Sequence, residues 1–184
     1  MNDIKSSITE THARWHKGHI EPFWSKQSFS RLNYQRKTFN NEKDFIRWKR
    51  HGYWQDKRHY GGLLCDMTQK QTIWNNDIIA WFEDTYQAKD VGTSYFKMET
   101  CSYLPNHSDT YDMYRKLFNC KLKDCFRVIV FLEDWRSGHI SEIDGVPITN
   151  WCAGDYVFWE SDTSHMAGNM GVDHRYTLQI TGHR

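Results

Sequence analysis

The chain has 184 residues, a net charge of +1 at pH 7 and 26% charged residues, enough to bury a core without staples and too balanced in charge for its global field to name an acidic or nucleic-acid partner. It holds no run of eighteen apolar residues and starts on the polar stretch MNDIKSSITETHARW, so no membrane span or signal peptide is expected and a soluble, cytosolic protein is. Its five cysteines, Cys65, Cys101, Cys120, Cys125 and Cys152, are odd in number and lack CxxC spacing, which argues against a disulfide framework or zinc knuckle and predicts buried, reduced thiols.

Residues 1–40 mix polar and aromatic side chains with no sustained period and read as irregular. From Asn41, NEKDFIRWKRHG offers an Asn cap, acids in the first turn, bases in the last and Gly52 as a stop, which predicts a short helix. A second helix is predicted in NNDIIAWFEDTYQAKD, capped by Asn75 or Asn76, with Ile78, Ile79, Phe82 and Tyr86 at helical spacing and an end near Gly92. After Gly92 the texture changes to short β-branched and aromatic runs between turn residues. Candidate strands are Ser94–Leu104, Phe126–Leu132, Ser141–Ile143, Asp155–Trp159, Ser164–Ala167 and His174–Thr181, with turn signals at 134–138, Asp144-Gly145, Ala153-Gly154 and 168–173. Without repeats or linkers, one domain is expected: residues 1–92 as a helical and irregular region packed on a β core over 93–184. Strands of this length preceded by helices predict a mainly β fold, a sandwich or jelly roll with helices outside one sheet.

Residues 14–59 carry twelve of the 24 Lys and Arg but four of the 23 Asp and Glu, and ten aromatics. Such a segment can be a stacking and electrostatic surface for nucleic acid, as in Arg14-Trp15-His16-Lys17 and Arg47-Trp48-Lys49-Arg50. It can equally fill the contact between N-terminal helices and the β core, a reading favoured by the core-like spacing of Phe45 and Trp48. Cys120 and Cys125 are close enough in sequence to meet, but nothing marks either as a nucleophile.

The chemistry-bearing residues lie further on. His107-Ser108-Asp109 follows a predicted strand and the turn-like Leu104-Pro105-Asn106, and in extended chain residues two apart share a face, so both can meet one ion. Alone, the triplet favours a surface loop in which Asp109 caps backbone amides and His107 is solvated. A second triplet of this form, His19-Ile20-Glu21, lies in the irregular region, runs into Pro22 and has no Arg pattern downstream. His165 opens a candidate strand, and residues 168–173 read as the turn of a hairpin into Arg175 and its strand. Centred near Met170, that hairpin places His165 and Arg175 opposite one another. Two imidazoles and a carboxylate hold a non-haem Fe(II) on one face and leave the other open. An Arg reaching past the metal suits a five-carbon diacid that chelates at one end and meets a guanidinium at the other. Thr177 shares the Arg175 face, where its hydroxyl can donate to the same carboxylate, while Tyr176, Leu178 and Ile180 take the opposite, apolar face. The alternative for Arg175 is a surface ion pair with Asp173 or Asp155. His174 should point away from the site, His139 can flank it as a lid residue, and His59 and His183 carry no pattern.

The pattern His107-x-Asp109, His165, Arg175-x-Thr177 resembles the double-stranded β-helix Fe(II)/2-oxoglutarate-dependent oxygenases over about residues 94–182. Residues 154–159 followed by 162–166 are similar to the strand that delivers the distal histidine in that superfamily. Residues 98–107 are similar to the strand and turn before the proximal histidine in small aspartyl/asparaginyl-hydroxylase-like members. The resemblance implies a jelly-roll, cupin-like fold. It implies Fe(II) on His107, Asp109 and His165, 2-oxoglutarate on Arg175 and Thr177, and O2 as co-reactant, with release of succinate and CO2 and hydroxylation of a substrate. It also makes Lys97, Tyr103 and Arg127 candidates to support the site from behind. A peptide or protein side chain is the expected substrate, with a nucleobase or small metabolite open. A non-catalytic cupin-like metal-binding module is the contrasting class, and Arg175-x-Thr177 argues against it because a metal store needs no diacid clamp.

Overall fold

The computed structural model describes residues 4–39, 41–53 and 60–184; His59 lies outside them. In chain order the elements are β1 (Ser6–Thr11), β2 (Trp15–Ile20), α1 (Lys26–Ser30), β3 (Gln35–Thr38), α2 (Glu42–Arg50), β4 (Gly61–Asp66), α3 (Asn75–Tyr86), β5 (Lys89–Met98), β6 (Ser102–His107), α4 (Asp112–Phe118), β7 (Cys125–Phe131), β8 (His139–Ile143), β9 (Val146–Pro147), β10 (Asp155–Glu160), β11 (His165–Asn169) and β12 (Arg175–His183). They build an antiparallel eight-stranded sheet, β1-β2-β10-β7-β12-β5-β4-β3, and a four-stranded sheet, β6-β11-β8-β9. From β5 onward the chain passes back and forth between the sheets, which makes the fold a double-stranded β-helix, or cupin-like jelly roll.

The period of two along the large sheet's strands sorts its two faces. Tyr176, Leu178 and Ile180 of β12, with Phe126, Val128 and Val130 of β7 and Tyr156 and Phe158 of β10, face outward and pack under Ile78, Trp81, Phe82 and Tyr86 of α3 in the main hydrophobic core. Arg175, Thr177 and Gln179, with Arg127, Ile129 and Phe131, face inward and line a cavity between the sheets. One face therefore supplies stability and the other supplies the site. At the turn before β10, Gly154 has φ +92, and a Cβ there would stand 2.1 Å from the Ile20 carbonyl oxygen, so only glycine lets the chain reverse against β2.

Several local expectations are revised. Residues 1–40 are not irregular: β1 and β2 pair with each other, β2 pairs with β10, and β3 pairs with β4. These strands are polar, and the apolar alternation that announces a strand is weak where one strand is wholly exposed, as β1 is. Asn41 caps α2 as expected, accepting from the Lys43 and Asp44 amides. α3 has no side-chain cap, because the Asn75 side-chain oxygen instead accepts from Thr93 Oγ1 and Tyr95 Oη at 3.0 and 3.1 Å. That helix stops at Tyr86, where Gln87 turns left-handed, and Lys89 is drawn into strand by pairing with His183. The run expected as one strand over Ser94–Leu104 is two, broken at Cys101 (φ 64) and divided between the sheets. All five cysteines are free, but Cys101 and Cys152 are exposed rather than buried. Among the described residues, no helix is long and apolar enough to cross a membrane. Within the basic aromatic segment, Phe45 and Trp48 are buried against Tyr60, and Phe29 joins the main core.

Candidate metal centre

β6 and β11 are neighbours in the small sheet, and their register sets His165 directly opposite His107. A bulge in β6 makes this useful. Ala167 pairs with Leu104 while His165 pairs with His107, so β6 spends an extra residue between them. Leu104 and His107, three apart, would otherwise point to opposite faces; both line the cavity. The bulge is held from outside by α2, since the Asn106 carbonyl accepts from Trp48 Nε1 at 3.1 Å and from the Arg47 guanidinium. Phe39 packs edge-on to the His107 ring at 5.0 Å.

The two imidazoles are oriented alike. His107 Nδ1 donates to the Pro105 carbonyl at 2.8 Å and His165 Nδ1 to the Thr163 carbonyl at 3.1 Å. Each Nδ1 proton is thus fixed on backbone, and each Nε2 presents a lone pair to the cavity. Asp109 completes the group, with Oδ2 3.6 Å from His165 Nε2. One ligand atom from each of the three residues lies within 4.8 Å of the others. Among the described residues, no other cluster of His, Cys, Asp and Glu has this convergence.

Charge states follow from the surroundings. Burial and the neighbouring His165 push His107 down to about 4, against the pull of Asp109. Burial also lowers His165. Burial acts most strongly and would raise Asp109, but the Arg127 guanidinium, donating to Oδ2 at 2.7 Å, together with His165 and His107, holds the carboxyl below its usual range. Arg127 is itself fixed by Thr181 Oγ1 at 3.2 Å and by the Tyr111 ring, 4.9 Å from its Cζ. At neutral pH the site therefore presents two neutral imidazoles and one carboxylate, the protonation states that metal ligation requires.

The same cavity, about 200 Å³, contains Arg175 and Thr177. They do not reach it through a hairpin. β11 belongs to the small sheet and β12 to the large one, so His165 and Arg175 face each other across the space between sheets. The five-residue link 170–174 crosses between layers because Asn169, the last residue of β11, turns its amide onto the Met98 and Asp173 carbonyls. Arg175 is buried, 4% exposed, with Nη1 3.4 Å from Met98 Sδ and its Cζ about 5.5 Å from the ring centroids of Phe131 and Trp151. Its Nε has no hydrogen-bond partner among the described residues. The acids expected as alternative partners are engaged elsewhere, Asp173 with Arg136 and Asp155 with His19. Burial alone pushes Arg175 down to about 10, so it remains a cation at neutral pH, with no carboxylate beside it among the described residues.

Of the residues expected to back the site, Arg127 does so directly. Lys97 lies on the outer face over Tyr176, and Tyr103 packs against Tyr60 instead. His139 is no lid: it is buried, stacks near Trp151 and bonds the Asp173 carbonyl. His19 is tied to Asp155 at 2.7 Å. Gln179 also lines the cavity, and its parity with Arg175 and Thr177 was a usable signal. Trp48, Phe39 and Trp159 had none, since they reach the site only through tertiary packing.

No known protein family's sequence profile matches the chain, and no curated protein matches it in sequence. Among solved structures, it is similar to a prolyl-4-hydroxylase from Pseudomonas putida at 14% identity and TM-score 0.55, covering 86% of this chain and 96% of that one. It is also similar to KdgF from Halomonas sp., at 13% identity and TM-score 0.42 over 82% of this chain and 96% of that one. A third likeness is to a non-heme monooxygenase, the ThoJ–Ni complex, at 17% identity and TM-score 0.45 over 60% and 53%. The first of these supports the jelly-roll fold and no more than the fold.

Proposed function

We propose that the protein is an Fe(II)- and 2-oxoglutarate-dependent dioxygenase that hydroxylates its substrate and releases succinate and CO2. The observation that carries this reading is Arg175, a buried cation without an acid partner in the cavity where His107, Asp109 and His165 converge. An uncompensated buried charge costs several kcal/mol, and a small dianion entering the cavity removes that cost. A site that only stored metal would have no use for it.

His107 Nε2, His165 Nε2 and the Asp109 carboxylate would hold the metal, and the donor set fits Fe(II). Bound there, Fe(II) supplies the activation of dioxygen and the oxidative decarboxylation of the cosubstrate. The chain's own residues do the rest. The Pro105 and Thr163 carbonyls hold the imidazole tautomers, and Arg127 keeps Asp109 ionised. Arg175 offers a bidentate guanidinium, and Thr177 a hydroxyl donor, to the distal carboxylate of 2-oxoglutarate. Phe131, Ile143, Val157 and Trp159 wall the cavity and exclude water. A peptide or protein side chain is the substrate class we favour, from the sequence resemblance.

Anaerobic addition of Fe(II) and 2-oxoglutarate should produce the weak visible charge-transfer band of the chelate, and admission of air should release succinate. No band at saturating concentrations of both would refute the proposal. Incubation with candidate peptides, nucleosides and metabolite extracts, followed by a mass search for gain of one oxygen, then identifies the substrate class.

A further inference from the structure

Two thiols flank the turn from α4 into β7: Cys120 in the connection and Cys125 at the start of the strand. Cys120 Sγ and Cys125 Sγ are 3.7 Å apart, with Cys125 buried and Cys120 half-buried. Arg115 of α4 stands near them: its charge acts to favour the Cys125 thiolate, against burial and the adjacent Cys120 thiol, which push Cys125 up. The Arg115 Nε is buried and has no hydrogen-bond partner. Cys125 also lies within electrostatic reach of Arg127 and Tyr111, the residues behind Asp109.

We propose that Cys120 and Cys125 form a redox-active dithiol that a hydroperoxide closes to an intramolecular disulfide. Closure brings the sulfurs from 3.7 Å to the bonded distance of about 2.05 Å. Cys125 is held in β7 opposite His183 of β12, so the movement falls on Cys120. That residue follows Asn119, the left-handed C-cap of α4 (φ 52), and α4 buries none of its side chains. In the first step the Cys120 thiolate attacks the peroxide, forming an S–O bond as the O–O bond breaks and the leaving oxygen departs protonated, giving a sulfenic acid. In the second, the Cys125 sulfur displaces hydroxide from Cys120, forming the S–S bond and releasing water. Two thiols lose two electrons in total and the peroxide gains them. The bond ties the end of α4, which follows Asp109 and Tyr111 in the chain, to the strand that carries Arg127. The inference stands on the thiols alone and is independent of what the cavity binds.

The test uses the full chain in a chelating buffer, treated with one equivalent of hydrogen peroxide, alkylated and analysed by mass spectrometry. The expected product has lost two alkylation sites and carries a Cys120–Cys125 cross-linked peptide that dithiothreitol reverses. Cys120 should react faster than Cys101 and Cys152, although both are exposed, because the Arg115 cation stands beside the pair. Cys120→Ser, a change on the half-buried connection, should abolish the fast phase, and Cys125→Ala should leave a sulfenic acid that dimedone traps. The proposal is overturned if Cys120 reacts no faster than Cys101 and Cys152. It is equally overturned if Cys120 proceeds to sulfinic acid or to intermolecular dimers while Cys125 stays alkylatable.

Discussion

Replacing Arg175 with Met should leave the stability of the metal-free protein nearly unchanged and make its interaction with 2-oxoglutarate much weaker. Among the described residues the guanidinium meets a thioether and two aromatic faces, with Nε unsatisfied. Exchanging a buried charged group for a hydrophobe of similar length commonly gains about 1–4 kcal/mol. Removing the cation from the faces of Phe131 and Trp151 offsets about 0.5–2 kcal/mol for each ring. The two effects roughly cancel, so the net change should lie within about 1 kcal/mol of zero and the Tm within roughly 2–4 °C of wild type. A dicarboxylate entering the cavity should make two charge-assisted hydrogen bonds to the guanidinium, each about 1.5–3 kcal/mol. Losing both costs roughly 3–6 kcal/mol, or about two to four orders of magnitude in affinity. The assay is a thermal melt with and without 2-oxoglutarate in the presence of Mn(II), together with a titration of the cosubstrate. Wild type should gain several degrees from the ligand and Arg175→Met almost none. A lower Tm in the variant with an unchanged response to 2-oxoglutarate would refute the reasoning, since it would make Arg175 a structural residue.

His107→Ala and Asp109→Ala should each abolish metal-dependent turnover of 2-oxoglutarate, whereas His19→Ala, which removes only an ion pair with the half-exposed Asp155, should leave it intact; coupled succinate detection separates them. Trp48→Phe deletes the indole donor to the Asn106 carbonyl. It should cost about 1 kcal/mol of stability and weaken metal binding severalfold, read by a melt and an Fe(II) titration; unchanged metal affinity would mean that α2 does not position the bulge. Leu178→Ala empties a fully buried site between the large sheet and α3. It should cost about 2–5 kcal/mol in urea unfolding, with metal affinity unchanged in the folded fraction because the side chain faces away from the cavity.

Local pattern was enough for the features that local pattern controls. The Asn41 cap, the apolar stripe of α3 and the alternation of Arg175 and Thr177 against Tyr176, Leu178 and Ile180 depend on periods of 3.6 and 2, which a sequence displays. His107, Asp109 and His165 were legible as a ligand set for the same reason: a spacing of two and a strand start. The hairpin between His165 and Arg175 was the natural reading of a short turn, and it was wrong in layer, because which sheet a strand joins depends on partners far along the chain. β12 finds β5 and β7, and β11 finds β6 and β8. The strands β1 to β3 were invisible for a related reason: β1 is wholly exposed and β2 buries Trp15 and Ile20 only at its two ends among polar residues, so no apolar alternation announces them and ladder pairing sets their order. The sequence alone singled out the residues that are candidates to hold a metal and a diacid. The tertiary structure decided that they share one cavity, that both imidazoles turn Nε2 inward, and that Arg175 is left without an acid partner, because each of these is set by burial and long-range pairing that no local spacing encodes.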